Sequence, residues 1–214
     1  SASANNTAEF NIMGDVIVQD GQFTSNGTSN ANTTIIIHQY GDVIATGGNL
    51  SVSRGSQGSG SGTTTWYLHN GNLSLSDATT QNSNPTPGHA KFVFDKDSVQ
   101  TITLSNVTYA GGGLPIEVAG GTSLDFGLNQ LGGGDMFILN QNATLITANP
   151  AGLDSTLQNT GKDSINLAAN FTFNGTEAQV PGVSIPDSIG TLTIINTAGV
   201  TFKDTLVCTD LEVE

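Results

Sequence analysis

The sequence predicts an all-β chain wound into a right-handed parallel β-helix, with an antiparallel β-sandwich as the alternative. Three observations carry that expectation. Gly (27 residues), Thr (28), Asn (21) and Ser (19) account for 95 of the 214 residues, while Lys, Arg and Glu together number only ten. Such a chain favours short strands and turns over helices. Its apolar residues, 36% of the total, fall in short runs bounded by Gly, Asn or Ser, which is strand patterning rather than disorder. Similar segments also return every 21 to 27 residues. That spacing belongs to a solenoid and not to a sandwich, whose strands recur at roughly 8–12 residues.

Along the chain, residues 15–19, 34–38 and 91–95 read as strands, and Asn49–Ser53 and 72–76 alternate polar and apolar residues. Gly14-Asp15-Val16-Ile17-Val18 is echoed by Gly41-Asp42-Val43-Ile44-Ala45 after 27 residues. Asn49-Leu50-Ser51-Val52-Ser53 returns as Asn72-Leu73-Ser74-Leu75-Ser76 after 23, and Gly121-Thr122-Ser123-Leu124 as Asn142-Ala143-Thr144-Leu145 after 21. Phe171, in Asn170-Phe171-Thr172-Phe173, lies 26 beyond Leu145. In a three-sided coil the Ile, Val, Leu and Phe side chains point inward and stack on the next coil, while Asn, Gly, Ser and Thr take the corners. At roughly 23 residues a coil, about eight or nine coils at ~4.8 Å make a rod on the order of 40 Å long.

The whole chain, 1–214, reads as one solenoid domain. Two loop insertions are expected. Residues 54–62 are a Gly/Ser run, and residues 79–88 are polar with Pro85 and Pro87. The triple-glycine runs at 111–113 and 132–134 read as tight corners.

Charge excludes several functions. Eighteen acidic residues against five basic ones give a net charge of −13. A surface that tracks nucleic-acid phosphates, or that docks on an anionic membrane, needs Lys and Arg. No run approaches the length of about 18 apolar residues that a membrane helix requires. No charged stretch followed by an apolar one opens the sequence, and Ser1-Ala2-Ser3-Ala4 suits a mature N-terminus. The single cysteine, Cys208, forbids an internal disulfide; between Val207 and Thr209 it is expected as a buried thiol.

Family resemblance enters with a succession of segments: Trp66, Gly71-Asn72-Leu73-Ser74-Leu75-Ser76, Phe92-Val93-Phe94, Gln100-Thr101-Ile102-Thr103-Leu104 and Gly113-Leu114-Pro115-Ile116-Glu117-Val118. Asn170-Phe171-Thr172-Phe173-Asn174-Gly175-Thr176 and Leu192-Thr193-Ile194-Ile195-Asn196-Thr197-Ala198-Gly199-Val200-Thr201 follow. This succession resembles the β-helical repeat regions of large surface proteins of the Bacteroidetes–Chlorobi group that leave the cell by type IX secretion. The resemblance implies export and an extracellular or cell-surface location, and it implies no catalytic activity. Five Asp-Ser/Thr pairs, each followed by Val, Ile, Leu or Thr, agree with that location. They are similar to the O-glycosylation acceptors of secreted Bacteroidetes proteins and make Ser98, Ser155, Ser164, Ser188 and Thr205 candidate glycan sites. The same dipeptides also suit Asx turns at coil corners.

Residues for chemistry are few. A β-helical polysaccharide lyase needs carboxylates or calcium to neutralise a uronate and a Lys, Arg or His base. The cations Arg54, Lys91, Lys96, Lys162 and Lys203 share no repeat register. His38 and His69, 31 residues apart, can meet on adjoining coils and are read as an aromatic and histidine ridge rather than a metal set; no zinc spacing supports them. No cofactor is expected, calcium excepted, for which Asp95 and Asp97 are weak candidates on one strand face. Trp66 and Tyr67 are candidates for stacking on a glycan.

Both ends read as strand, with Phe10 and Ile12 at one and Leu206, Val207, Leu211 and Val213 at the other, and no amphipathic capping helix covers either. Solenoids normally need polar caps. The expectation is therefore a structural or adhesive protein: a homo-oligomer built head to tail by strand addition into an extracellular filament or stalk. The alternative is a carbohydrate-binding or polysaccharide-degrading β-helix module.

Overall fold

The computed structural model describes residues 6–26, 32–53, 61–84 and 86–214. It is a parallel β-solenoid. The first turn carries β1 (Thr7–Ile12), β2 (Val16–Val18) and β3 (Gln22–Thr24); the second carries β4 (Thr34–Gln39), β5 (Val43–Ala45) and β6 (Asn49–Ser53). The third has β7 (Thr64–Leu68), β8 (Leu73–Ser76) and β9 (Thr79–Asn82), and the fourth β10 (Ala90–Phe94), β11 (Val99–Ser105) and β12 (Thr108–Gly111). Beyond these the third face loses its strands. The chain continues through β13 (Ile116–Val118), β14 (Ser123–Asp125), β15 (Phe137–Leu139), β16 (Thr144–Thr147), a one-turn helix α1 (Leu153–Thr156), β17 (Ser164–Ile165), β18 (Asn170–Phe173), β19 (Ser188–Ile194) and β20 (Val207–Val213). Among the described residues the three faces hold seven, nine and four strands, the nine-stranded sheet running from β2 to β20.

Register turns the repeats into columns. On the first face Phe10, Ile37, Trp66, Phe92, Ile116 and Phe137 follow one another across successive strands, all pointing inward. On the second face Leu124, Leu145, Phe171, Leu192 and Leu211 do the same. Trp66, Phe92, Phe137, Leu124, Leu145 and Phe171 are all 0–1% exposed. Trp66 is wedged edge-on between Phe23 and Phe92, with ring centroids 5.6 and 5.1 Å away. Phe10 and Leu211, at the outer rungs of these columns, are 51% and 59% exposed, with no further rung over them among the described residues.

The Gly-Asp echo marks the corner between the first two faces. A Cβ on Gly41 would lie 2.5 Å from the carbonyl carbon of Gly14, and one on Gly71 would lie 1.9 Å from the oxygen of Gly41, so the backbones stack directly at this corner. The next residues form a staircase. Asp15 Oδ1 accepts the Asp42 N–H at 2.8 Å, Asp42 Oδ1 accepts the Asn72 N–H at 2.7 Å, and Asn72 Oδ1 accepts the Thr101 N–H at 2.8 Å. Buried glutamines brace the inside of this bend and of another after β16. Gln39 Nε2 donates to the Gly14 and Gly41 carbonyls, Gln100 Nε2 to those of Leu68 and Gly71, and Gln179 Nε2 to those of Thr147 and Asn149. Each neutral amide satisfies two backbone acceptors without bringing a charge into the core.

Most of the repeat alignment holds. Val16 pairs with Val43, Leu124 with Leu145 and Leu145 with Phe171, as the spacings of 27, 21 and 26 require. Two expectations are corrected. Asn49–Ser53 is not the counterpart of 72–76: β6 lies on the third face with β3 and β9, whereas β8 lies on the second with β5 and β11. Any half-buried strand alternates at period two, so alternation alone cannot assign a face. The stretch 79–88 is not a loop throughout, because Thr79–Asn82 forms β9. Thr80 and Asn82 point into the solenoid, and Thr80 Oγ1 donates to the Gly113 carbonyl, so a polar sequence is paired rather than looped out. The insertion at 54–62 lies outside the described residues except for Ser61 and Gly62.

Trp66 Nε1 has no hydrogen-bond partner, so its contribution is packing alone. Trp66→Ala is expected to cost about 3–5 kcal/mol, as for other buried aromatics, while Trp66→Phe, which gives up no hydrogen bond, costs much less. Urea unfolding of both variants checks this; an equal loss would mean the indole N–H is paired in solution.

Candidate functional site

Among the described residues, a cluster of histidine and tyrosine side chains lies on the surface of the first face, at the ends of β4 and β7. In β4, Ile37 and Gln39 point inward, so strand alternation turns His38 outward, and Tyr40 follows just past the end. In β7, Trp66 and Leu68 point inward and Tyr67 outward, with His69 just past the end. His38 pairs with Tyr67 across the sheet, and the His69 N–H donates to the Gln39 carbonyl. The inverted patterns His-x-Tyr and Tyr-x-His thus form a two-by-two platform of rings. His38 stacks on Tyr67 (centroids 5.5 Å, planes 12° apart) and on His69 (5.1 Å, 9°), while Tyr40 tilts against His69 at 4.9 Å.

The two histidines are also hydrogen-bonded, His38 Nδ1 to His69 Nε2 at 2.8 Å. Their outer nitrogens each meet a carboxylate. Glu9 Oε1 lies 3.2 Å from His38 Nε2, and both Asp95 oxygens lie 3.0 Å from His69 Nδ1. The result is a chain, Glu9–His38–His69–Asp95, running across four turns. About a quarter of each imidazole side chain is exposed (24% and 25%), so the ridge is open to solvent. On the same face Lys91 pairs with Glu117, whose other oxygen accepts from Asn140.

Other candidate residues fall elsewhere. Trp66 is wholly buried in the core and is removed from any glycan-stacking role; a single aromatic in a strand packs inward whenever its neighbours alternate outward. Tyr67 stays on the surface ridge. Asp95 and Asp97 do not share a strand face, because β10 ends at Phe94, and Asp95 faces His69. Among the described residues no three His, Cys, Asp or Glu side chains are grouped to hold a metal ion. Ser98, Ser164 and Thr205 are exposed and Ser155 and Ser188 half-buried. Two of the aspartates preceding these sites hold corners by long-range contacts: Asp154 accepts the N–H groups of Val183 and Ser184, and Asp163 that of Phe137. Cys208 is half-buried, packed against the core rather than sealed within it. Ile12 and Leu206 likewise pack on the core, while Val207 and Val213 are mostly exposed on β20.

Two further polar features surround Asp154 and Asp135, aspartates that flank glycine corners in the sequence. Near the far end, a cavity of about 170 Å³ opens beside Asp154, lined by Val180, Ile185, Phe202, Lys203 and Thr205 among others. Burial raises the Asp154 carboxyl, but the N–H groups of Val183 and Ser184, the Ser184 side chain and the Lys203 charge bring it below the usual carboxylate value. At the triple-glycine corners the Tyr109 ring lies against Gly113, Gly132 and Gly133, where a Cβ would sit 2.8–3.1 Å from it. Beside it Asp135 faces Gly112, and Asn82 Nδ2 donates to both of its carboxylate oxygens, at 3.1 and 3.0 Å. Burial pushes the Asp135 carboxyl above its usual value, and the Asn82 donor offsets that only in part. The two glycine runs were visible as corners with Asp135 beside the second, but nothing in their spacing placed that carboxylate against Asn82.

No family model matches the chain, and no curated protein or solved structure matches it either.

Because Asp135 binds its proton more tightly folded than unfolded, its contribution is fully present below the unfolded value of 3.8 and is lost as pH rises through the raised folded value. Asp135→Asn removes that loss. Its urea midpoint relative to the native chain is expected to improve between pH 3.5 and pH 7; a constant difference would mean that Asp135 titrates normally in the fold.

Proposed function

We propose that this chain is an exported structural or adhesive module that acts as a segment of an extracellular filament or cell-surface stalk and carries out no catalysis. The observation that carries this reading is the state of the outermost rungs. The first-face column begins at Phe10 on β1, and the second-face columns finish at Leu211 and Val213 on β20, side chains that are 51%, 59% and 70% exposed. The nine-stranded sheet is bounded by β2 and β20, each with one edge unpaired. A second copy laid end to end sets β20 against β2, continues that sheet in parallel and stacks its columns on Leu211. Such a contact is heterologous, joins different surfaces of the two copies and propagates without closing. The net charge of −13 opposes lateral bundling of such fibres.

The resemblance to type IX-secreted repeat regions supports the extracellular location. The partial or full exposure of Ser98, Ser155, Ser164, Ser188 and Thr205 is compatible with O-glycans there. A second reading, glycan binding, is favoured by the ring platform of Tyr40, Tyr67, His38 and His69, since stacked rings edged by carboxylates suit sugar faces and hydroxyls.

Negative-stain electron microscopy over a concentration series tests the filament reading. Rods lengthening in steps on the order of 40 Å are expected, and the paired change Leu211→Lys with Val213→Lys should abolish them while leaving the thermal unfolding of the monomer nearly unchanged. Monomers at every concentration would overturn it. On protein from its native host, excess intact mass lost by Ser98→Ala, Ser164→Ala and Thr205→Ala together is the expected result for glycosylation. In affinity electrophoresis, retardation by a polysaccharide that Tyr67→Ala abolishes would favour the glycan reading.

A further inference from the structure

The first-face sheet stops at β17. In the two rungs beyond it, residues 180–187 and 202–206 stand ahead of β19 and β20, where earlier rungs carry a first-face strand. These two segments line the cavity of about 170 Å³ beside Asp154. Val180, Ile185, Phe202 and Leu206 supply its apolar walls, and the last three pack on the core. The half-buried Asp154 carboxylate is already engaged, accepting the Val183 and Ser184 N–H groups at 2.8 and 2.9 Å. An apolar cavity of roughly 150 Å³ holds one benzene ring, so this one is the size of a single aromatic side chain. Resting on the end-to-end reading above, we infer that the cavity is the socket for Phe10 of the next copy of this chain.

Among the described residues Phe10 is the one exposed aromatic side chain, at 51%. It lies at the opposite end of the solenoid, on β1, in the inward column of Ile37 and Trp66. Register carries it to the cavity. Val16 heads a second-face column with Val43, Leu73 and Ile102. Val213 ends one with Ile194, Phe173 and Thr147. The pairs Thr101–Asp125 and Asp125–Ile146, each one residue earlier, make the two columns one. A copy that keeps this register sets its Val16 on Val213. Its β1, the segment ahead of β2, then lies over residues 202–206, the segment ahead of β20. Phe10 points from β1 into the space that those residues share with 180–187. Seated there it loses its bare face, and the first-face sheet, interrupted after β17, resumes in the next copy. The contact joins unlike ends, so copies add with one polarity.

Complementation between two variants of the full chain tests this. The measurement is made in about 0.15 M salt, which limits repulsion between acids at the two ends to roughly 8 Å. Phe10→Asp keeps the socket and loses the knob, whereas Ile185→Trp keeps the knob and fills the socket. Each alone is expected to sediment as a monomer where the native chain forms rods. The end-to-end association should weaken roughly 30-fold or more, as for an aromatic lost from a desolvated pocket. Mixed in equal amounts, the two should give one-to-one dimers that grow no further, because one intact Phe10 meets one open socket. Rods from either variant alone, or no dimer on mixing, would overturn the socket while the native rods kept the end-to-end reading standing. Native chains that stay monomeric at every concentration would overturn both. Thermal unfolding of each variant separates loss of the contact from loss of the fold, and Val180→Trp fills the socket from another wall should Ile185→Trp not fold.

Discussion

No rung of this solenoid can bury its own inward side chains; each depends on the rungs on either side. A two-to-seven-residue strand covers little apolar area by itself, and only register-matched stacking turns the column from Ile37 through Trp66, Phe92 and Ile116 to Phe137 into a core. Stability in such a fold is a sum of neighbour contacts, so an end is weak wherever a column stops. The other features of the molecule follow from keeping that register.

Register is held at the corners as much as in the strands. The Gly14, Gly41 and Gly71 column lets the backbones touch, the Asp15, Asp42 and Asn72 side chains each bond one rung to the next, and Gln39 and Gln100 tie off carbonyls that face the interior. These are short-range, directional contacts. They fix where each turn begins, and a one-residue slip would turn every inward side chain to the solvent. The same discipline creates the surface ladders. His38 and Tyr67 meet because Ile37 and Trp66 meet beneath them, and His69 reaches His38 because its rung is displaced by one strand spacing.

Much of this was legible in the residues themselves. The Gly-Asp-Val echo located the corner and the β2–β5 pairing, and the 26-residue step from Leu145 to Phe171 identified a core column, because apolar identity and corner chemistry recurred together. Asn49–Ser53 misled because alternation alone is common to all three faces. Thr79–Asn82 was hidden because its inward residues, Thr80 and Asn82, are polar and satisfied by partners distant in sequence, Gly113 and Asp135. Trp66 was a candidate for glycan stacking until its neighbours fixed its parity. The nearness of His38 and His69 could be read from their spacing, but the carboxylates on their outer nitrogens could not, since Glu9 and Asp95 come from two further turns.

Structure and proposed role are thus one argument: columns that close only against another rung, and a surface whose chemistry is organised by the same stacking. Its central claim is the parallel, in-register stack. Nuclear Overhauser contacts in the labelled chain test it most directly. The account predicts contacts from Trp66 to Phe92 and Phe23, and from Phe171 to both Leu145 and Leu192, without the close cross-strand Hα–Hα contacts of antiparallel pairs. Strong Hα–Hα contacts linking consecutive strands would contradict it and restore the β-sandwich.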